Sequence, residues 1–145
     1  MLMTFDFSSP VPIYMQIRNQ VIVGIAEGKL KPGEKLPTIR VLAEESGINM
    51  MTVSKAYQLL KQEGYIVTDR RNGATIAGKE IVPAGKETRE ALKLYISQLR
   101  LSGMHKEDIL ALCEELYDEG GMTNEVDIMG KRDMVGTFDD VLDRQ

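Results

Sequence analysis

A short predicted helix near the middle of the chain presents small polar groups and one cation on a single face. The members of this face recur at spacings of three and four residues, which align side chains along one side of an α-helix: Met51, Ser54, Lys55 and Gln58. Such a face fits the major groove of B-form DNA, where hydroxyl and amide groups pair with base edges and a methionine can contact a thymine methyl group. Asn49 and Thr52, at the start of the same helix, can reach phosphate or base. These residues predict contacts with double-stranded DNA.

Three arginines are expected beside this face. Arg40 lies in the first turn of the preceding predicted helix, after Thr38, whose hydroxyl can cap that helix. Arg70 and Arg71 lie at the tip of a predicted β-hairpin, beside Gly73, where they can reach a minor groove or the DNA backbone. A guanidinium group suits phosphate or guanine. Each arginine alone could be an ordinary solvated charge, but their clustering around a polar helix favours nucleic acid.

The sequence lacks the residue combinations that catalysis or metal binding would require. The chain has one His and one Cys, His105 and Cys113, in the same predicted helix. Eight residues of helix separate their side chains by about 80° and more than two turns, so they cannot touch. Neither a Gly-rich phosphate loop nor a paired-carboxylate motif is found. We therefore predict no enzymatic activity, no cofactor and no metal site, and we expect Cys113 to be a small buried hydrophobic residue.

The groups that could contact DNA fall on predicted helices. Apolar residues recur at intervals of four along a first helix, predicted over about Pro10 to Glu27: Ile13, Ile17, Val21 and Ile25. A second helix is expected between Thr38 and Gly47, and a third from Asn49 to residues 63–64. The inward side of the third helix carries four residues: Val53, Ala56, Tyr57 and Leu60. Two short helices joined by a three-residue, Gly-containing turn form a helix-turn-helix.

A predicted hairpin follows the third helix. Residues 65–68 are β-branched and aromatic, Asn72-Gly73 favours a tight turn, and residues 74–77 would form the return strand. Residues 30–37 are rich in Pro and Gly and are predicted to be a connector. The sequence therefore predicts a winged helix-turn-helix domain over residues 1–78, in a fold that is mainly α with a small β-hairpin.

Two further helices are predicted over residues 79–121. Their apolar positions recur at helical spacing: Leu92, Tyr95, Ile96, Leu99, Ile109, Leu112, Cys113 and Leu116. Two amphipathic helices cannot bury their apolar faces alone. We therefore predict a dimerisation region in which the same helices of a second copy pack together about a two-fold axis. Residues 122–145 are predicted to be an acidic, solvated tail with a short capped helix over residues 137–142.

Composition and charge agree with this division. The chain has 145 residues, of which 43% are hydrophobic and 28% charged, which indicates a folded protein. Its net charge of -4 is uneven: residues 1–78 hold 9 Lys/Arg and 7 Asp/Glu (+2), whereas residues 79–145 hold 9 and 15 (-6). The second part is therefore not expected to contact phosphates. Neither a membrane span nor a signal-peptide pattern is visible, so we expect a soluble, cytoplasmic protein with no membrane partner.

A nearly continuous series of motifs runs from about Pro12 to Ile76. The series comprises Pro12-Ile13-Tyr14, Gln16-Ile17, Leu36-Pro37-Thr38-Ile39-Arg40, Leu42-Ala43-Glu44-Glu45, Gly47-Ile48-Asn49, Thr52-Val53-Ser54-Lys55-Ala56-Tyr57, Leu60 and Glu63-Gly64. These motifs and their spacing resemble the DNA-binding domain of GntR-family transcriptional regulators. The resemblance implies a winged helix-turn-helix that binds operator DNA as a dimer. It also implies that five residues contact DNA: Arg40, Thr52, Ser54, Lys55 and Gly73.

Some positions depart from the family pattern. Val41 stands where the family often has a Glu that closes a capping box, and the wing over residues 71–76 lacks one of two glycines. Tyr14 is consistent with either a core or a contact position. Because 67 residues follow Gly78, the layout resembles the short, YtrA-like branch rather than branches with a large effector domain.

The leading hypothesis is a homodimeric, sequence-specific transcriptional repressor. A dimer would place its two recognition helices about 34 Å apart, which predicts a pseudo-palindromic operator. A small-molecule effector, whose identity the residues do not indicate, could act between the winged domain and the C-terminal helices, or the protein could work without one. The alternative from another class is a helical module whose winged domain binds a partner protein. A positive patch over Arg40, Lys55 and Arg70 would favour DNA.

Overall fold

The computed structural model describes residues 3–78 and 83–119. Its elements follow in the order α1 Ile13–Ala26, α2 Ile39–Ser46, α3 Met50–Gln62, β1 Ile66–Asp69, β2 Gly73–Ile76, α4 Lys86–Leu101 and α5 Lys106–Asp118. The chain divides into two compact units, Met1–Val82 and Pro83–Gln145. The predicted fold class, mainly helical with one small antiparallel hairpin, is confirmed. The predicted acidic tail and its short helix lie outside the described residues.

Side-chain caps begin both helices of the helix-turn-helix. The Thr38 hydroxyl oxygen accepts a hydrogen bond from the Val41 N–H at 3.1 Å, and the Asn49 amide oxygen accepts one from the Met51 N–H at 2.7 Å. These caps satisfy backbone donors that have no partner within the first turn. Gly47, with φ of +68°, ends α2 in the left-handed conformation that glycine adopts without steric cost. The predicted caps and the predicted stop are confirmed.

The start of α1 differs from the prediction. The helix begins at Ile13 rather than at Pro10, and Pro12 is its N-cap residue, with a non-helical ψ of 147°. A proline disfavours helical backbone in the residue before it, so Pro12 opposes a helix that runs through Val11. The segment before α1, residues 3–12, is called the arm, and it is hydrogen-bonded to side chains of α1. The Gln16 amide accepts from the Asp6 N–H and donates to the carbonyls of Asp6 and Val11, each at 2.9 Å.

The core of the first unit forms where α1, α2 and α3 meet the hairpin. Its buried members are Ile17, Val21, Leu30, Leu36, Leu42, Ala43, Val53, Ala56, Tyr57, Leu60, Ile66 and Ile76. The predicted inward face of α3 is confirmed. Two polar contacts add to this packing: the Tyr57 hydroxyl donates to the Pro37 carbonyl at 2.6 Å, and Arg18 of α1 forms two hydrogen bonds with the Glu63 carboxylate, at 2.7 and 3.0 Å.

The hairpin gains a partial third strand from the connector. Strands β1 and β2 pair with Ile66 opposite Ile76. On the other side of β2, the Leu36 N–H donates to the Ala74 carbonyl and the Ile76 N–H donates to the Glu34 carbonyl, both at 2.9 Å. The sequence predicted only a connector at residues 30–37. These hydrogen bonds place the return strand of the wing beside the segment that leads directly into α2.

The predicted strands are displaced by one residue. They were expected at residues 65–68 and 74–77, whereas β1 ends at Asp69 and β2 begins at Gly73. The Asp69 carboxylate accepts from backbone N–H groups of the turn, so the turn begins after Asp69. Gly73 has φ of +68°, which lets the chain reverse there and start the second strand early.

The second unit has a small core between α4 and α5. Met104 and Ile109 are buried, and Ile96, Leu99 and Leu112 pack against them. No residue of α4 is fully buried. Within the described parts of the chain, none of the helices combines the length and apolar composition that crossing a membrane requires.

Candidate nucleic-acid interface

Helix α3 turns its polar face to solvent. Met51 is 80% exposed, Lys55 and Gln58 are exposed, and Ser54 is half-buried. The opposite side of the helix is anchored in the core, since Val53 and Ala56 are completely buried. The helix is therefore held rigidly by one face while the other remains free to enter a groove, as base recognition requires. That these side chains contact DNA remains a prediction.

The start of the helix offers two further polar groups. Asn49 is exposed and Thr52 is half-buried. The amide oxygen of Asn49 is occupied by its cap, but the amide N–H₂ group points to no partner among the described residues. Asn49 can therefore hold the helix and donate to a phosphate or a base at the same time. Thr38 has the same double capacity at the start of α2, since its oxygen accepts in the cap and its hydroxyl proton stays available.

Arg40 forms an ion pair with Glu44 that the sequence analysis did not predict. Its side chain is 77% exposed, and its Nε donates to the Glu44 carboxylate at 3.0 Å, one helical turn away. The i,i+4 spacing of opposite charges could have revealed this pair. Among the described residues, the two Nη groups of Arg40 have no hydrogen-bond partner. They are the donors that fit a phosphate or the edge of a guanine.

Lys55 lies against an aromatic ring. Its Nζ is 4.0 Å from the centroid of the Tyr14 ring, within the range of a cation–π interaction. Tyr14 is half-buried and packs against the core, as the first of the two sequence alternatives expected. The same ring also touches Lys55, which is a predicted DNA-contacting residue. Sequence spacing could not find this contact, because the two residues belong to α1 and α3.

The wing presents Arg70 and Arg71 at an exposed tip. The turn is closed by Asp69, whose carboxylate accepts from the backbone N–H of Asn72 and, at 2.8 Å, from that of Arg71. These hydrogen bonds, the one from Asn72 foremost, hold the pKa of Asp69 below its ordinary value. Apart from Gly73 and its two chain neighbours, no atom of the described residues lies within 4 Å of the position that a Cβ at Gly73 would take, so space for a close approach to DNA is available there.

The eight predicted dimerisation residues separate into two groups. Four pack within the second unit: Ile96, Leu99, Ile109 and Leu112. Four are exposed: Leu92, Tyr95, Cys113 and Leu116. The prediction that Cys113 is buried is wrong for the single chain, because its side chain is exposed and lies outside the small core between α4 and α5. Four further apolar residues that the prediction omitted are exposed: Leu94, Leu101, Leu110 and Tyr117.

A cavity in the first unit is the nearest feature to a small-molecule site. It has a volume of about 600 Å³ and is open to solvent. Its lining comes from the arm, α1 and the connector: Met3, Asn19, Gln20, Val23, Gly24, Glu27, Lys29, Leu30 and Glu34. The Gln20 amide is already bonded to the backbone of Thr4, and Lys29 is paired with Glu27 at 2.9 Å. The predicted effector stays a prediction. Within the described residues, no cluster of three His, Cys, Asp or Glu side chains could hold a metal ion.

Comparisons with known proteins agree on one family. Residues 13–76 match the model of the bacterial regulatory proteins of the gntR family. The chain is 36% identical over 130 residues to the HTH-type transcriptional repressor YtrA of Bacillus subtilis strain 168. This alignment covers 86% of this chain and 100% of that protein. YtrA from Sulfolobus acidocaldarius, a GntR-family transcription factor, is 39% identical over 81% of this chain and 97% of its own, with a TM-score of 0.50.

A third similarity extends over both units. A transcriptional antiterminator from Listeria monocytogenes EGD-e has a TM-score of 0.77 and 32% identity, and covers 86% of this chain and 98% of its own. The relatives and the family are transcriptional regulators rather than enzymes. The match to the family model falls on the first unit, which contains the capped helix-turn-helix, the exposed polar face of α3 and the hairpin described above. The chain belongs to the GntR family and is a DNA-binding transcriptional regulator.

Proposed function

We propose that this regulator binds a pseudo-palindromic operator as a homodimer and represses transcription in the cytoplasm by occupying promoter DNA. The observation that carries the proposal is that α3 exposes a polar face while its opposite, apolar face is packed in the core. Arg40 lies in the helix that packs against α3, and the wing is hydrogen-bonded to the segment leading into that helix. This arrangement supports simultaneous contact with a major groove and with the flanking backbone.

Affinity and sequence choice would come from different groups. Lys55, Arg70 and Arg71 are exposed cations that can neutralise phosphates and make binding depend on salt. Ser54 and Gln58 carry the donors and acceptors that can read base edges. Met51, at 80% exposure, lies outside the core clusters of the described residues and can contact a thymine methyl group.

Dimerisation is supported by the apolar surface of the second unit. Leu92, Tyr95 and Leu116 are each more than half exposed, and α4 has no fully buried residue. A helix pair that buries so little of its apolar surface is not expected to be stable alone in water. Packing against the same helices of a second copy would cover these residues and give a two-fold assembly. Two recognition helices about 34 Å apart would then meet half-sites one turn of DNA apart.

Repression is supported by similarity to YtrA of Bacillus subtilis, which is named a transcriptional repressor. The match covers the full length of that protein. A small-molecule effector is kept as part of the proposal, with no chemical class assigned. Control through abundance alone is the alternative mode of regulation.

The test of DNA binding is selection of bound duplexes from a random pool by the full chain. We expect enrichment of an inverted repeat whose half-sites are about 10 base pairs apart. Arg40→Ala should weaken binding of the selected duplex by about 1–3 kcal/mol if Arg40 reads a base, or reduce the salt slope by about one if it contacts a phosphate. Arg89→Ala is the matched control, because Arg89 is an exposed arginine near the start of α4 and should leave both quantities unchanged. Absence of any enriched sequence would contradict the proposal.

The test of dimerisation compares a double variant, which has one substitution to glutamine in α4 and one in α5, with a single control substitution in α4. Leu92→Gln, combined with Leu116→Gln, should shift the light-scattering mass toward one chain and lower operator affinity, because it makes the exposed apolar surface polar. Lys93→Gln changes an exposed neighbour and should leave the mass at that of two chains. A wild-type protein with the mass of one chain at micromolar concentration would refute the dimer.

A further inference from the structure

The ammonium group of Lys55 is held by an aromatic ring instead of an anion. Its Nζ lies 4.0 Å from the Tyr14 ring centroid, and no carboxylate among the described residues forms an ion pair with it. Arg40 differs, since Glu44 occupies its Nε and offsets part of its charge. A cation over a ring keeps its full charge, and its N–H groups on the side away from the ring remain able to donate.

The ring itself is fixed in place. Tyr14 lies in the first turn of α1 and packs against the core of the first unit. The same turn is tied to the arm by three hydrogen bonds of the Gln16 amide. Ile17, on the next turn, is completely buried. The Tyr14 ring is therefore a rigid support, whereas an unsupported lysine side chain would sample many rotamers.

We propose that Tyr14 is a positioning residue of the DNA interface, which holds the Lys55 ammonium ready for a phosphate oxygen. The inference rests on the proposed function, since it needs α3 to face DNA. The stack restricts Lys55 before binding, so less side-chain freedom is lost when the phosphate contact forms. Lys55 supplies the charge and Tyr14 supplies the orientation.

The experiment is a double-mutant cycle on the full chain, measured with a duplex selected by the wild-type protein. Tyr14→Leu removes the ring but keeps an apolar side chain, whereas Tyr14→Phe keeps the ring face that the cation contacts. Each is made with Lys55 present and in a Lys55→Gln background. From the strength of a cation–π interaction at an exposed site, Tyr14→Leu should weaken binding about two- to fivefold with Lys55 present. Tyr14→Phe should change it less than twofold.

Two readouts separate positioning from a merely structural role. In the Lys55→Gln background, Tyr14→Leu should have no further effect, because the group that the ring positions is gone. The dependence of log affinity on log salt should keep its slope in Tyr14→Leu, which retains every charge, and should lose about one unit in Lys55→Gln. Thermal unfolding of each variant shows whether the fold is intact.

The outcomes divide clearly. An equal loss from Tyr14→Leu in both backgrounds, or a loss from Tyr14→Phe as large as that from Tyr14→Leu, would overturn the inference while leaving DNA binding established. No effect of Tyr14→Leu in an intact protein would overturn it as well. Failure of the wild type to bind any duplex would refute the proposed function and the inference with it, and this result is distinguishable from the others by the wild-type measurement alone.

Discussion

Removal of the Tyr57 hydroxyl should change the stability of the first unit in opposite directions at neutral and at alkaline pH. The hydroxyl donates to the Pro37 carbonyl at 2.6 Å, and the residue is only 5% exposed. This hydrogen bond joins α3 to the residue just before the cap of α2. Burial raises the pKa of Tyr57 from 10.0 to about 12, because the ionised phenol would lie in the core.

The magnitude follows from these two facts. At neutral pH, Tyr57→Phe should lower the free energy of unfolding by about 1–2 kcal/mol, the net value of a buried hydrogen bond plus a carbonyl left without its donor. Above pH 10 the unfolded wild type loses its phenol proton while the native state retains it, so the wild type is progressively destabilised as pH rises. A shift of about two pKa units corresponds to about 2–3 kcal/mol, lost mainly between pH 10 and pH 12.

The phenylalanine variant has no such proton, so the order of stability should invert at about pH 11. The assay is urea unfolding of both proteins, followed by circular dichroism from pH 7 to about pH 11.5. One protein concentration is used throughout, because the proposed dimerisation would make stability depend on concentration. All other titrating groups are shared by the two proteins and cancel in the difference. A difference in unfolding free energy that is the same at pH 7 and at pH 11.5 would refute the argument.

Substitutions at three further positions test the structure that surrounds α3. Asn49→Ala should lower the free energy of unfolding by about 1 kcal/mol, because it removes the cap of α3. Asn49→Asp restores an acceptor and should recover most of this loss in the same urea assay. Equal losses in both variants would show that the cap is not responsible. Arg18→Ala should cost about 1 kcal/mol, since the pair with Glu63 is partly exposed, and the loss should shrink in high salt if the pair is its source. Gly73→Ala forces an alanine to φ of +68° and should lower the free energy of unfolding by about 1 kcal/mol. It should also weaken DNA binding, measured by fluorescence anisotropy. Unchanged affinity would place the tip of the hairpin away from DNA.

Much of the local structure could be predicted from the sequence. The helices follow from apolar residues at intervals of three and four, and the ends of α2 and α3 follow from Thr38, Asn49 and Gly47. These features depend on backbone groups a few residues apart, and sequence spacing describes such distances well. The exposed face of α3 follows for the same reason, because a helix with one buried stripe must turn its remaining side chains outward.

Contacts between distant segments were decided only by the tertiary structure. The pairing of the connector with β2, the pair of Arg18 with Glu63, and the stack of Lys55 on Tyr14 each join elements that periodicity treats separately. In the second unit, periodicity identified apolar positions but could not separate those that α4 and α5 use on each other from those left exposed. That separation depends on how the two helices are placed against each other. The sequence therefore determined which side chains could contact DNA, while packing determined which of them are held in position to do so.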